Sequence, residues 1–343
     1  WALFCRAGAK TSLIEQTLVK SGIEVIGFCD NDESKWGKVI YRGKRCIGLN
    51  SIDVLDDTIC IIVATNRYLE ILPQLTNVGN YEVFTEANIS RYADGYIENI
   101  LQHKREIEHA YELCNDEISK HTFITMLQQY TTPSLFHRRW EKVYNQDEQY
   151  FPKKVIYLND NENFVDCGAY DGDSLLRFLE QVNYEFSTIY LFELGEKNFT
   201  LLNRMIADFP IAIKSKIYSY NIGVWNKKER TVYDNTRRDA SNVTGLGDNE
   251  YNAYAKLDTL DHILERKRVS YIKMDIEGAE LNALKGAQKL IKREKPKLAI
   301  SIYHKQEDLW TIPLYINSLM PEYKIYMRSH TLLDQDIVCY ANK

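Results

Sequence analysis

The sequence predicts an α/β protein built from two Rossmann-like parts that a helical segment joins. Short apolar runs alternate with helical patterns over the first ninety residues, polar stretches with helical spacing follow, and the alternation returns from about residue 164. At 343 residues the chain is long enough for two domains with separate cores. We therefore expect a small α/β domain at 1–91, a helical connector at 92–155 and a larger α/β domain at 156–343.

Composition and charge narrow the class of protein. The chain is 45% hydrophobic and 27% charged, as is typical of a globular protein. Its net charge of -5 gives no basic field that would attract nucleic acid. No stretch approaches the roughly 20 apolar residues that span a bilayer, and the chain begins at Trp1 without a signal-like segment. We expect a soluble cytoplasmic protein that binds neither nucleic acid nor a membrane.

The seven cysteines are expected to pack in the core. They are scattered, odd in number and lack a C-x-x-C pair, so neither a disulfide framework nor a zinc site is predicted. Cys60 and Cys167 lie inside apolar runs, where a thiol behaves as a small core residue.

The first ninety residues predict strand–helix–strand units of a parallel sheet. The predicted elements are a strand at Trp1–Cys5, a helix at Thr11–Ser21 and strands at Val25–Cys29 and Thr58–Ala64. The first turn has one glycine, Gly8, where a dinucleotide fingerprint has three. Asp30 follows the second strand and could hold a ribose, but an acid there also suits a turn. The missing glycines favour a docking or assembly module, which could join copies of the chain, over nucleotide binding.

The connector at 92–155 combines polar stretches with apolar residues at helical spacing. Aromatic residues are concentrated near its end, at Phe136, Trp140, Tyr144, Tyr150 and Phe151. Such a cluster could stack on a ligand, but it more often seals an interface between domains.

The alternation of strands and helices is clearest in the larger domain. Strands are predicted near Phe164–Cys167, Thr188–Phe192, Ile217–Tyr220, Val269–Met274 and Leu298–Tyr303, with further apolar runs at Tyr323–Met327 and Ile337–Tyr340 that could pair as a hairpin at one edge.

The first of these strands runs into a glycine turn at Gly168 and then into a helical pattern. Such a turn presents backbone amides at the carboxyl edge of a sheet and can hold a nucleotide-like ligand. The next strand ends at Glu193, where a carboxylate can accept both hydrogen bonds of a ribose diol. Asp166, Asp171 and Asp173 make the turn acidic, which disfavours a pyrophosphate and suits a cationic sulfonium cofactor.

Several motifs of this domain, in this order, resemble those of the FkbM-type methyltransferases. They are Gly168-Ala169-Tyr170-Asp171-Gly172-Asp173-Ser174, Phe192-Glu193, Asn221-Ile222-Gly223-Val224, Leu257-Asp258-Thr259-Leu260 and Lys273-Met274-Asp275-Ile276-Glu277-Gly278-Ala279-Glu280. The resemblance covers residues 160–343 and implies a class I methyltransferase fold, which is a Rossmann-like, seven-stranded mixed sheet with S-adenosylmethionine across its carboxyl edge.

The resemblance also implies roles for individual residues. Gly168, Ala169 and Gly172 would pass beneath the methionine part of the cofactor, and Glu193 would hold its ribose. The residues expected to bind the cofactor are Asp166, Gly168, Ala169, Tyr170, Gly172, Glu193, Asn221, Ile222 and Asp275. Leu194-Gly195 departs from the acid-proline-asparagine turn that is usual in the family, which leaves the contacts after Glu193 open.

Acidic residues follow the strand at 269–274. Glu280 could be only a helix cap, whereas Asp275 and Glu277 are candidates for contacts with the cofactor amine or the acceptor. His304 follows the next strand and, with Asp275 as the alternative, would be the general base. The other residues expected at the acceptor are Lys273, Glu277, Lys305, Arg328 and His330, of which Arg328 and His330 could instead lie at the surface.

The sequence thus predicts an S-adenosylmethionine-dependent O-methyltransferase that requires no metal. Its acceptor would be a hydroxyl of a sugar, a glycan precursor or a small natural product. Two alternatives remain open: a non-catalytic binding or assembly protein of a glycan pathway, and a nicotinamide-dependent oxidoreductase that uses the amino-terminal domain.

Overall fold

The computed structural model describes two compact units of the chain. The amino-terminal unit comprises residues 1–103 and 124–142, and the carboxy-terminal unit comprises residues 104–123 and 143–343. The described residues are 2–5, 18, 22–48, 51–52, 59–63, 71, 74–75, 82–85, 95–131, 140, 142–145, 147–234, 252–331 and 335–343. Gly8 and the helix predicted at Thr11–Ser21, apart from Leu18, lie outside them.

The described strands of the amino-terminal unit form a six-stranded sheet with the order β3-β4-β2-β1-β5-β6. They are β1 (Ala2–Cys5), β2 (Val25–Cys29), β3 (Val39–Tyr41), β4 (Lys44–Ile47), β5 (Cys60–Val63) and β6 (Glu82–Thr85). All neighbours pair in parallel except β3 and β4. Along β5, Ile61 and Val63 join one apolar cluster and Ile62 joins another, because successive side chains of a strand point to opposite faces.

Asp30, the acid after β2, bonds within its own turn. Its Oδ1 accepts a hydrogen bond from the Asp32 amide at 3.0 Å, and its Oδ2 lies 2.6 Å from Lys35 Nζ. The carboxylate therefore stabilises the turn, in agreement with the structural alternative raised from the sequence.

Three helices lie within the segment predicted as a helical connector: α1 (Tyr96–Gln102), α2 (Lys104–Glu112) and α3 (Glu117–Thr131). Helix α2 is amphipathic and buries Ile107 and Ala110. No described helix of the chain is both long enough and apolar enough to cross a membrane.

Among the described residues of the carboxy-terminal unit, seven strands form a mixed sheet with the order β15-β16-β14-β13-β7-β8-β9. They are β7 (Asn163–Cys167), β8 (Thr188–Phe192), β9 (Ile217–Tyr220), β13 (Tyr271–Met274), β14 (Lys297–Ser301), β15 (Lys324–Ser329) and β16 (Ile337–Asn342). Strand β16 is antiparallel to β14 and β15, and the other neighbours are parallel. This confirms the seven-stranded mixed sheet and the hairpin at its edge.

Short helices follow most of these strands, and a smaller sheet accompanies them. The helices are α4 (Asp173–Gln181), α5 (Glu196–Asp208), α6 (Ile211–Lys214), α7 (Leu260–Ile263), α8 (Glu280–Lys285), α9 (Gln288–Glu294) and α10 (Asp308–Leu319). The described strands β10 (Gly223–Val224), β11 (Glu229–Asp234) and β12 (Asn252–Asp258) form a three-stranded sheet with β12 in the centre.

An aromatic cluster fixes β7 and the helix that follows it. The Phe164 ring stacks on Phe178 of α4 at 4.3 Å between centroids and on Tyr271 of β13 at 5.3 Å. Phe151 contacts all three rings and is buried. Since large buried aromatic rings dominate core energetics, this cluster anchors the turn between β7 and α4 at the edge of the sheet.

The cysteines pack as predicted in the described parts of the chain. Cys29, Cys46, Cys114, Cys167 and Cys339 are buried free thiols, and Cys60 is half-buried. None of these six takes part in a disulfide.

Candidate active site

Strand β7 ends in a turn that requires glycine at Gly168. This residue has a φ of +83°, and a Cβ atom there would lie 1.9 Å from the carbonyl oxygen of Asp275, so a side chain would collide with backbone. The amides of Gly168 and Ala169 both donate to the Phe192 carbonyl, at 2.9 and 3.0 Å. The turn is thus fixed between the ends of β8 and β13.

A second glycine, Gly172, directly precedes α4 as its N-cap residue. It has a φ of +102°, and a Cβ atom there would lie 1.9 Å from Met205 Cε. Ala169 is fully buried. Gly172 and Ala169 therefore give the turn its shape, and Gly168 presents its backbone to the edge of the sheet.

Glu193 is the first residue after β8 and is almost completely buried, with 6% of its surface exposed. Its Oε2 accepts a hydrogen bond from the Tyr170 amide at 2.9 Å, and its Oε1 accepts one from the Gly195 amide at 2.7 Å. Burial raises the pKa of Glu193 to about 7, although both hydrogen bonds oppose the rise. Each oxygen keeps one acceptor site for a further donor.

Asn221 stabilises the unusual turn that follows Glu193. Its Nδ2 donates to the carbonyl oxygens of Glu193 and Leu194, at 2.9 and 3.0 Å. The next residue, Ile222, faces the cavity described below. Asn221 therefore positions Glu193 by holding the backbone at residues 193 and 194.

Asp166 and Lys273 form a buried ion pair. They are register partners on the neighbouring strands β7 and β13, with Lys273 Nζ 2.9 Å from Asp166 Oδ1 and 2.6 Å from the Gly168 carbonyl. Ser174 Oγ donates to the other Asp166 oxygen. Burial alone would lower the pKa of Lys273, but Asp166 and Asp275 outweigh burial and raise it. The lysine is therefore charged and ties the glycine turn to β13.

Asp275 follows β13 directly. Its Oδ2 accepts a hydrogen bond from Tyr150 Oη at 2.5 Å, and its Oδ1 lies 3.4 Å from Tyr303 Oη. Burial would raise the pKa of Asp275, but Lys273, His304 and the Tyr150 hydrogen bond outweigh it and lower the pKa. Asp275 is a carboxylate at neutral pH.

Tyr150 reaches Asp275 from a strained backbone. Its φ is +71°, which is uncommon for a residue with a large side chain. The Tyr150 amide donates to Tyr340 Oη at 3.0 Å, and its carbonyl accepts from Tyr271 Oη. These bonds hold the conformation that points the Tyr150 hydroxyl at Asp275.

His304 lies beyond the end of β14, with 9% of its side chain exposed. Burial would lower its pKa, but Glu280, Asp275 and Glu277 raise it to about 9. Glu280 is buried at the start of α8, and its Oε1 also accepts the Ile276 amide at 2.8 Å. Among the described residues, Asp275, Glu280 and His304 offer ligand atoms within 4.8 Å of one another, a spacing that could hold a metal ion.

A cavity of about 380 Å³ lies at the carboxyl edge of the sheet, within the usual size range for ligand pockets. Its lining residues are Gln149, Tyr150, Gly168, Tyr170, Asp173, Phe192, Glu193, Leu194, Asn198, Ile222, Gly223, Val224, Lys273, Asp275, Ile276, Glu277, Ala279 and Asp336. Seven of the residues predicted from the sequence line it: Gly168, Tyr170, Glu193, Ile222, Lys273, Asp275 and Glu277.

The remaining predicted residues do not line this cavity. Arg328 Nη2 binds Asp116 Oδ2 at 2.6 Å, and His330 Nε2 lies 2.8 Å from Tyr340 Oη. The Lys305 side chain packs near Gly278. The others that do not line the cavity are Asp166, Ala169, Gly172, Asn221 and His304.

Several lining residues were not predicted from the sequence. Tyr150 was noted only as part of an aromatic cluster, and the fold brings it to Asp275. Asp336 and Gln149 bond to each other, with Gln149 Nε2 donating to Asp336 Oδ1 at 3.2 Å. None of these three residues lies in a motif of the sequence. In the structure, Tyr150 and Asp336 stand out by their positive φ angles of +71° and +51°.

The geometry agrees with what is found in known proteins. Residues 166–329 match the sequence model of the methyltransferase FkbM domain. The crystal structure of methyltransferase FkbM from Methylobacillus flagellatus KT has a TM-score of 0.70 and 22% sequence identity, and the match covers 99% of this chain and 89% of that chain. At this identity the likeness shows a shared fold. None of the curated proteins matches the chain significantly.

Two further solved structures match about half of the chain. An rRNA methylase from Streptococcus thermophilus has a TM-score of 0.35 and 17% identity over 54% of this chain and 89% of its own. Aeropyrum pernix fibrillarin, in complex with natively bound S-adenosyl-L-methionine, has a TM-score of 0.34 and 12% identity over 55% of this chain and 70% of its own.

The mixed seven-stranded sheet and the cavity at its carboxyl edge define a class I methyltransferase fold. Through residues 166–329 the chain carries a domain that matches the methyltransferase FkbM domain. It is therefore a methyltransferase, and S-adenosylmethionine, predicted from the sequence, is the cofactor consistent with this family.

Proposed function

We propose that the protein transfers a methyl group from S-adenosylmethionine to a hydroxyl oxygen of a sugar, a glycan precursor or a small natural product. The observation that carries this proposal is the arrangement of two carboxylates in one cavity. Glu193 and Asp275 end the strands on either side of β7, and the Gly168 turn lies between them. One carboxylate would hold the cofactor and the other would face the acceptor.

The residues present fit the cofactor. Glu193 has two fixed oxygens with free acceptor sites, which suits a ribose diol. At Gly168 a Cβ atom would collide with the backbone of Asp275, so a bare peptide surface faces the ligand. Ile222 and Val224 add apolar surface to the wall after β9, where the adenine ring would lie.

The charge of the cavity supports a cationic cofactor and a neutral acceptor. Acidic side chains line it at Asp173, Glu193, Asp275, Glu277 and Asp336. The charge of the lining lysine is already compensated by its buried ion pair. Negative charge at short range attracts a sulfonium and repels a phosphate. We therefore favour a neutral, hydroxyl-rich acceptor over a phosphorylated one.

When bound, S-adenosylmethionine supplies an electrophilic methyl group on a positively charged sulfur. Asp275 would bind the acceptor hydroxyl and accept its proton as the carbon–oxygen bond forms and the carbon–sulfur bond breaks. Tyr150 would keep Asp275 oriented through its 2.5 Å hydrogen bond. The products are a methyl ether, S-adenosylhomocysteine and a proton. His304 does not line the cavity, so we assign the acceptor contact to Asp275 and place His304 behind it.

We propose that the amino-terminal unit serves docking or assembly rather than catalysis, in a protein of the cytoplasm. Asp30, its candidate ribose ligand, already bonds to the Asp32 amide and to Lys35. The predicted division into domains at 1–91, 92–155 and 156–343 remains part of this proposal.

Replacing Glu193 by alanine should weaken cofactor binding strongly. Loss of both hydroxyl contacts, each charge-assisted, predicts a decrease in affinity for S-adenosylhomocysteine of about 100-fold. Isothermal titration calorimetry measures it. The matched control is Glu196→Ala, three residues along the chain and exposed, which should bind as the wild type does. Equal affinity in the Glu193→Ala and Glu196→Ala variants would count against the assignment of the ribose to Glu193.

Cofactor affinity should also depend on pH through Glu193, whose pKa is raised by burial to about 7. The ionised carboxylate accepts two hydroxyl hydrogen bonds and the protonated form does not. Affinity should therefore be full above pH 8 and fall about tenfold by pH 6. The Glu193→Gln variant should bind the cofactor more weakly, and its affinity should not fall between pH 8 and pH 6. An equally steep pH dependence in Glu193→Gln would assign the titration to another group.

A further inference from the structure

The side chain of His304 lies among four acidic groups, next to Asp275 and Glu277 of the cavity wall. His304 Nδ1 is 3.0 Å from Glu280 Oε1, while Nε2 is 3.4 Å from Asp275 Oδ1 and 3.6 Å from Glu277 Oε2. A fourth carboxylate, that of Asp308, contributes to the same electrostatic environment. One imidazole therefore faces more carboxylates than it can neutralise.

The two sides of the ring differ in geometry. A separation of 3.0 Å between Nδ1 and Glu280 is normal for an N–H donor and a carboxylate, whereas the Nε2 separations exceed the usual hydrogen-bond range. The ring is nine-tenths buried, and neither of its nitrogens makes a regular hydrogen bond within the described part of the chain. A buried polar nitrogen without a partner is costly and calls for an explanation.

The longer separations match those between two ligands of one cation. Ligand bonds of about 2.1 Å that meet at 90–110° place neighbouring ligand atoms about 3.0–3.4 Å apart. The distance from Nε2 to Asp275 agrees with this value, and the distance to Glu277 exceeds it slightly. Among the described residues, the group with ligand atoms within 4.8 Å of one another is Asp275, Glu280 and His304. The Glu277 carboxylate, which is 35% exposed, would therefore have to move toward Asp275 to complete the set.

We propose that Asp275, Glu277 and Nε2 of His304 bind a divalent cation. Glu280 would not be a ligand in this arrangement. It would hold the Nδ1–H of His304 and orient the ring, as carboxylates commonly do behind metal-binding histidines. One nitrogen and two carboxylate ligands suit Mn²⁺ or Zn²⁺ better than Ca²⁺, which prefers oxygen ligands alone.

The cation would lie where the acceptor reacts. Asp275 and Glu277 both line the cavity, so the remaining coordination positions would face the bound acceptor. A hydroxyl coordinated there would lose its proton more readily. This catalytic role rests on the proposed function, whereas binding of the cation does not. From the sequence we predicted a reaction that requires no metal, and the cation site proposed here departs from that prediction.

The experiment is a titration of the full-length, metal-stripped protein with MnCl₂ in the absence of cofactor. Isothermal titration and the electron paramagnetic resonance of free Mn²⁺ count the sites, and pulsed resonance detects nitrogen coupling from a histidine ligand. We expect one tight site per chain with nitrogen coupling. His304→Gln should remove the coupling and weaken binding at least 100-fold, and Glu280→Gln should weaken it 10- to 100-fold.

His262→Gln is the matched control, because His262 Nδ1 also lies 2.9 Å from a carboxylate, that of Asp258, but with one acid alone and with 61% of its side chain exposed. It should bind Mn²⁺ as the wild type does. If a substitution at buried His304 prevents folding, Glu277→Gln replaces a more exposed proposed ligand and should weaken Mn²⁺ binding in a folded protein. Absence of Mn²⁺ binding to the folded wild type would overturn the proposal, since a proton on His304 would then satisfy the cluster. Binding unchanged in His304→Gln and Glu277→Gln would overturn it equally.

The outcome is separable from that of the cofactor experiments. Cation binding without S-adenosylhomocysteine binding would contradict the proposed function and leave the metal site intact. Cofactor binding without cation binding would contradict the metal site and leave the proposed function intact.

Discussion

Replacing Lys273 by methionine should reduce the free energy of unfolding by about 3–5 kcal/mol, the usual effect of breaking a buried ion pair from one side. The substitution keeps most of the apolar volume but leaves the Asp166 carboxyl group, whose pKa burial already raises, fully buried without its cation, with Ser174 as its remaining side-chain partner. It also removes the 2.6 Å bond to the Gly168 carbonyl. Urea unfolding followed by circular dichroism measures the change.

Two comparisons test the cause of this loss. Lys295→Met breaks an exposed pair with Glu322 and should cost less than about 1 kcal/mol. Adding Asp166→Asn to Lys273→Met removes the unpaired charge and should restore at least half of the lost stability, because asparagine can still accept from Ser174. A Lys273→Met variant as stable as Lys295→Met would contradict the importance assigned to the buried pair.

Replacing Asp275 by asparagine should reduce kcat by about 10²- to 10⁴-fold, the range typical for loss of a proton acceptor. The amide has nearly the same shape and can accept the Tyr150 hydrogen bond, but it cannot take the proton of the acceptor. The acceptor is first chosen from a panel of neutral methyl glycosides of hexoses and deoxyhexoses, as the one that the wild type methylates fastest. The rate of each variant with this acceptor is then measured from the release of S-adenosylhomocysteine.

Asp336→Asn is the matched control, because its carboxylate lines the same cavity and bonds to Gln149. It should change KM for the acceptor more than kcat. Affinity for S-adenosylhomocysteine should change less than about tenfold in Asp275→Asn, since the ribose is assigned to Glu193. A kcat loss below tenfold in Asp275→Asn, or an equal kcat loss in both variants, would contradict the assignment of Asp275 as the proton acceptor.

The strands and the glycine turn at the cavity were predictable from the sequence because their signals are local. An apolar run followed by Gly168, and another followed by Glu193, each lie within one strand–turn unit. The carboxyl ends of parallel strands meet at one edge of a sheet, so residues that follow such strands converge there. Asp275 was placed correctly at the cavity for the same reason.

The sequence could not reveal which polar residues satisfy one another across the sheet. Asp166 was expected to bind cofactor and Lys273 to bind acceptor, yet the two pair on adjacent strands that are 107 residues apart in the chain. Strand order alone decides this contact, and β13 is not adjacent to β7 in sequence. Arg328 likewise binds Asp116, which comes from the segment before α3. Tyr150 was missed because its role depends on a left-handed backbone conformation.

The proposed function requires that the cavity between Glu193 and Asp275 binds S-adenosylmethionine and serves methyl transfer. Its most direct test is isothermal titration of the purified wild-type chain with S-adenosylmethionine, S-adenosylhomocysteine and NAD in separate experiments. We predict one site per chain for each of the two sulfur compounds and no binding of NAD. Preference for NAD, or no binding of any of the three by a folded sample, would contradict the account and shift the function to the amino-terminal unit or to a non-catalytic role.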